Sequence, residues 1–180
     1  MAFCFLAWPG SGAAAKFVWQ TLETRYLILH FQRDSDLEKF DRKIEPVKHI
    51  AGFKKAALDR PDPGKYADLV KKMDSLVEKV QLILDMRKPM QVNIRIYPDR
   101  QALQNAHLNL YKKGRAMWAW YLYEYNTIYV NVDDLFSGML AHEIAHAVID
   151  HYLEARPPRA TAEILARYVD AHLNEQAKVY

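Results

Sequence analysis

In the segment His142-Glu143-Ile144-Ala145-His146, two imidazoles stand four residues apart with a carboxylate beside the first. On a helix that spacing puts both histidines on one face, one turn apart, so their ring nitrogens can point at a single ion. Zinc suits such ligands. With three protein donors it keeps a fourth position for water, lowers the pKa of that water to about 7 and polarises a carbonyl bound next to it. Glu143 would then take the water's proton and pass it to a leaving amine. The competing reading, two surface histidines on an ordinary helix, is weakened by the flanks. With His142 at zero and about 100° per residue, Leu140, Ile144, Ala147 and Val148 fall between about 140° and 240°, while Glu143 and His146 lie within about 100° of zero. One face is core and the other is chemistry. Between Ser137 and Asp150 the only charged residue is Glu143, so the pair sits in a buried-looking helix, where unpaired polar groups are costly.

The run Met139-Leu140-Ala141-His142-Glu143-Ile144-Ala145-His146-Ala147-Val148 resembles the uncharged extended motif of the gluzincin branch of the zincin metallopeptidases. Glu163-Ile164-Leu165-Ala166 is similar to the downstream Glu-x-x-Ala element of that branch, although Arg167 stands where some gluzincins carry Asp. The resemblance implies a zinc peptidase with His142, His146 and Glu163 as metal ligands and Glu143 as the base. It also implies that the strand beside the zinc helix binds extended peptide.

Helix geometry favours Glu163 over the nearer polar residues as third ligand. Asp150 lies about 12 Å along the helix from His142, whereas ligand atoms must converge to roughly 2 Å from one ion, and His151 falls about 180° from His142. Pro157-Pro158 breaks the helix, and 17 residues separate His146 from Glu163, enough for a second helix to return to the metal. Thr161 is a candidate cap for that helix. Asp170, seven residues after Glu163, shares nearly the same face and could orient a ligand histidine through its free ring nitrogen; the alternative is a surface Asp. Tyr121, Tyr123, Tyr152, Tyr168 and His172 are possible oxyanion donors, none of them distinguished from packed or surface groups. His30, His49 and His107 stand alone and read as structural or surface residues.

The elements that must position these groups follow from periodicity. Residues 16–32, rich in aromatic and β-branched side chains, read as two strands meeting near Thr24-Arg25. A helix capped by Asp34 or Ser35 carries Leu37, Phe40 and Ile44, and Pro61-Asp62-Pro63-Gly64 breaks the chain before a helix over Tyr66 to Met86. Val92, Ile94 and Ile96 alternate with polar residues as a strand, followed by a short helix through Leu103, Ala106 and Leu110. Trp118 to Glu124 and Thr127 to Val132 form a hairpin directly before the histidine segment. Helices from about Leu135 to Leu153 and from about Thr161 to Lys178 complete the chain.

The 180 residues, 51% hydrophobic and 26% charged, fit one domain able to bury a core without staples. Together these features predict an α+β, zincin-like domain over residues 16–180: a small, largely antiparallel sheet, a zinc helix packed beneath it and a C-terminal helix completing the site. The net charge of +3, with no basic block, argues against a nucleic-acid partner. Cys4 is the single cysteine, so neither an intrachain disulfide nor a thiolate metal site can form. Residues 1–15 carry no charge, run through an apolar stretch and end in Ala13-Ala14-Ala15, as the end of a secretory signal peptide does. Export to the periplasm or outside the cell is expected on that pattern; stable membrane insertion is not, because no segment approaches the ~20 apolar residues needed. The expected partner is a peptide or protein substrate. The rival function is a partner-binding module on the same scaffold without catalysis, against which the intact Glu143 speaks; a third reading, a metal-free helical interaction domain, would have been favoured by a departure at His142, His146 or Glu163.

Overall fold

The computed structural model describes residues 18–47, 64–114 and 117–174. The signal-peptide expectation for residues 1–15, His49 and the last residues of the C-terminal helix lie outside them. Two strands, β1 (Gln20–Glu23) and β2 (Leu27–Phe31), open the chain as an antiparallel hairpin. They are followed by helices α1 (Asp34–Lys43) and α2 (Ala67–Leu84), strand β3 (Val92–Tyr97) and helix α3 (Arg100–Tyr111). Strands β4 (Ala119–Leu122) and β5 (Thr127–Asn131) pair antiparallel, and helices α4 (Ser137–Tyr152) and α5 (Arg159–His172) close the order.

Among the described residues the architecture is α+β, with five strands in the order β1-β2-β3-β5-β4 and five α-helices. The sheet is mixed, which corrects the largely antiparallel expectation. β2, β3 and β5 run parallel through its centre, and only the edge pairings β1–β2 and β4–β5 are antiparallel. The cause lies in the connections: helices intervene between β2 and β3, and α3 with β4 between β3 and β5, and such crossovers return the chain in the same direction.

The alternating strand residues feed two cores. Val92, Ile94, Ile96, Ile128 and Val130 face the main core, shared with α1, α2, α4 and α5, while Tyr97, Trp120 and Tyr129 turn to the other face and meet Leu103 of α3. All five residues of β5 are buried, as expected of a strand covered on both sides. Helix α1 carries Leu37, Phe40 and Ile44 into the core as its periodicity predicts, but it starts from Arg33 rather than from an Asp34 or Ser35 cap. Arg33 instead forks its guanidinium onto the buried Asp36 at 2.9 Å.

Helix α4 is the element that matters most for function. Asn131, at the end of β5, accepts the N–H groups of Asp133 and Asp134 on its side chain, and Asp134 is gripped by the Arg100 guanidinium at 2.7 Å. That turn fixes where α4 begins. Leu140, Ile144, Ala147 and Val148 are all buried, so the helix presents the core face deduced from its sequence. It stops ahead of Pro157-Pro158, and α5 starts from Pro158, three residues before the cap expected at Thr161. Proline is preorganised for a helix start, and the Thr161 N–H goes to the Pro158 carbonyl within the first turn. Helices α4 and α5 pack on each other. No helix among the described residues is long and apolar enough to cross a membrane.

Candidate metal centre

His142 and His146 project from the same face of α4, and their Nε2 atoms stand 3.2 Å apart. Glu163, in the second turn of α5, brings Oε2 to 3.6 Å from His142 Nε2 and Oε1 to 3.8 Å from His146 Nε2. A tetrahedral ion with ligands at 2.0–2.1 Å sets its donors about 3.3 Å from one another. The three ligand atoms, all within 4.8 Å of one another, therefore need only small rotamer adjustments to share an ion. Two imidazole nitrogens and a carboxylate oxygen fit a borderline divalent metal in chemistry as well as in spacing. Arg159 Nε lies 3.9 Å from Glu163 Oε1 and limits the swing of that carboxylate.

Asp170 completes the ligand geometry. Its Oδ2 lies 3.0 Å from His142 Nδ1, so with Asp170 ionised the Nδ1–H donates to it and the Nε2 lone pair faces the cluster. Glu143 is placed differently. It is buried, and its Oε2 accepts the backbone N–H of Tyr121 on β4 at 2.7 Å. Burial pushes the Glu143 carboxyl up to about 7 in the chain alone, against the lowering pull of His142 and of the Tyr121 N–H. Burial also lowers the pKa of His146, with His142 adding to the effect, so its neutral, ligating form is favoured.

The other polar candidates separate from the cluster. Asp150 accepts the Tyr121 hydroxyl at 2.9 Å, and His151 Nδ1 bonds the Ala147 carbonyl at 2.9 Å; neither joins the three ligand atoms. Tyr168 and His172 stack on each other at 3.9 Å between centroids, and Tyr123 packs under the Arg156 guanidinium at 4.4 Å. His30 bonds Asn93 at 2.8 Å and His107 sits between the rings of Tyr111 and Trp120, as structural residues do.

Tyr121 is the residue whose role sequence reasoning missed. It ties β4 to α4 at two points, its N–H to Glu143 and its hydroxyl to Asp150. Its phenol pKa is raised, first by burial and then by the Asp150 bond. Because that N–H points away from β5, Tyr121 and, two residues back, Ala119 turn their backbone groups toward the open edge of the sheet. A cleft of about 970 Å³ runs along this edge, lined by Tyr121, Tyr123, His142, Glu143, His146 and Glu163 among others. A second space of about 570 Å³ shares His142 and Glu143 and continues past Trp118, Phe136 and Asp170. Compared with protein-family models, curated proteins and solved structures, the chain matches none of them.

Proposed function

We propose that this chain is a zinc-dependent peptidase of gluzincin type on a zincin-like domain, with His142, His146 and Glu163 as metal ligands and Glu143 as general base. The observation that carries the reading is the convergence of two imidazole nitrogens and a carboxylate at separations of 3.2, 3.6 and 3.8 Å, beside the buried carboxyl of Glu143 at the junction of two open spaces. Held by His142, His146 and Glu163, zinc would supply Lewis acidity and would lower the pKa of a bound water to about 7.

The remaining tasks fall to the chain. Asp170 holds His142 in the ligating tautomer. The Tyr121 N–H holds one oxygen of Glu143 and leaves the other free for a proton. That free oxygen is placed to take the proton of an attacking water and to return it to the departing amine. The backbone of Ala119 and the Tyr121 carbonyl at the sheet edge suit an extended peptide, which adds to a sheet as a further strand, while the Tyr121 N–H stays on Glu143.

The test separates metal from turnover. Purified protein should contain one zinc per chain, and Glu143→Gln should keep it while turnover of a cleaved peptide falls by at least about 10²-fold. His142→Ala and His146→Ala should each lose the zinc. Unchanged turnover in Glu143→Gln overturns the water-activation mechanism, and zinc retained in both histidine variants overturns the site. A partner-binding module would leave Glu143→Gln indistinguishable from the wild type in every assay.

A further inference from the structure

The cleft and the second space meet at His142 and Glu143, so room for a ligand continues past the reacting position on both sides. Exposed apolar surface is concentrated there. Among the described residues eleven large apolar side chains are exposed, and six of them line these two spaces: Tyr111, Met117, Tyr123 and Tyr125 on the cleft, Trp118 and Phe136 on the other. Apolar patches gathered on one groove mark a binding surface, whereas single exposed apolar residues need no explanation. Trp118 and Phe136 are 59% and 54% exposed, so most of each ring is open to a ligand.

Phe136 is also held in place. A Cβ added at Gly138 would come within 3.1 Å of Phe136 Cε2, which puts the ring over the first turn of α4 in space that Gly138 leaves free. Met139 and Leu173 add apolar wall to the same space, and Lys43, Glu45 and Asn174 line it as well.

Resting on the peptidase reading, we propose that the substrate is an extended peptide crossing both spaces and cut at an internal bond, with a bulky apolar side chain beside that bond seated between Trp118 and Phe136. A groove open on both sides of the reacting position takes a chain running through it and does not depend on a charged terminus. The reaction is hydrolysis: the water oxygen bonds to the carbonyl carbon, the C–N bond breaks, and the proton taken by Glu143 goes to the departing amine.

The zinc-loaded chain is given a library of short peptides blocked at both ends, and the products are mapped by mass spectrometry. Cuts at internal bonds are expected, with Phe, Leu, Met or Trp enriched at one position beside the bond. Trp118→Ala and Phe136→Ser should each lower the kcat/KM ratio of a Phe peptide over its Ser counterpart at least about tenfold. Leu108→Ser, an exposed apolar residue on α3 outside both spaces, should leave that ratio in place. Cuts confined to peptides with free ends, or a ratio unchanged in both variants, overturn the proposal. A zinc-loaded chain that cuts no peptide at all sinks the peptidase reading instead. The pocket is then judged by calorimetry of the metal-free Glu143→Gln chain with N-acetylphenylalanine amide. Weaker binding after Phe136→Ser supports the apolar seat, and equal or absent binding removes it.

Discussion

Two carboxylates that flank the cluster have different duties, and substitution should separate them. As a proposed ligand, Glu163 would offer an oxygen to the ion, so Glu163→Ala should weaken zinc affinity, read by chelator competition, far more than Asp150→Ala or His151→Ala, whose side chains bond elsewhere. Asp170 acts through the His142 ring, so Asp170→Asn should weaken affinity by about 10–100-fold without abolishing it. Asp150→Ala stripping the metal while Glu163→Ala kept it would reverse the ligand assignment. The convergence of His142 and His146 was legible because helical spacing is arithmetic, and that of Glu163 through the resemblance of Glu163-Ile164-Leu165-Ala166 to a downstream ligand element, with the Pro157-Pro158 break letting the chain return. Asp170 was half legible, since periodicity gave its face but not its partner. Tyr121 was one of five equivalent tyrosine and histidine candidates, because its bond to Glu143 depends on how a strand edge meets a helix, and no local pattern encodes that.

At the scale of elements, α4 is set by the turn that launches it and by the core face that seats it. Leu140 is fully buried, so Leu140→Ala should cost about 2–5 kcal/mol in denaturant unfolding and disturb the ligand face with it. Asp134 binds Arg100 and Asn131, and the Arg100 bond, with Asn131 adding to it, holds its carboxyl below the usual range. A depressed folded-state pKa contributes stability that is present above the unfolded value of about 4 and lost as pH falls through the folded one. Asp134→Ala should therefore be destabilised near neutral pH by about 1–2 kcal/mol, and the gap to the wild type should narrow below pH ~4. A gap independent of pH would mean that packing, and not charge, sets the turn. The main strands and helices were readable from period and breakers, but Tyr123 and Glu124, expected to extend β4, instead form a 3-10 turn with Tyr125. The parallel centre of the sheet was readable too, from helices lying between successive strands, but the two hairpins flanking it drew attention to the antiparallel pairs.

On the scale of the whole molecule, the phenols of Tyr26, Tyr97, Tyr121 and Tyr129 all have raised pKa values, each chiefly through burial. A raised folded-state value means stability intact below the unfolded pKa of about 10 and lost as pH climbs through the folded value. For Tyr26, pushed up to about 12, that window is pH 10 to 12. Ionisation of these four phenols should accordingly accompany loss of structure, and their titration near pH 10 with the fold intact would contradict it. The domain has no disulfide to draw on, since Cys4 is alone. Helix α5 packs on α4 through its buried Ala166 and Val169, with Ile164 and Tyr168 facing solvent. An ion shared by His146 and Glu163 closes a loop of 17 residues and acts as a cross-link, worth about 3 kcal/mol on a chain-entropy estimate. On the proposed reading, chelation should loosen the molecule unevenly, with amide exchange quickening along α5 while β3 and β5 keep their protection, so that a bound metal would act as a clasp on the last helix as well as a reagent.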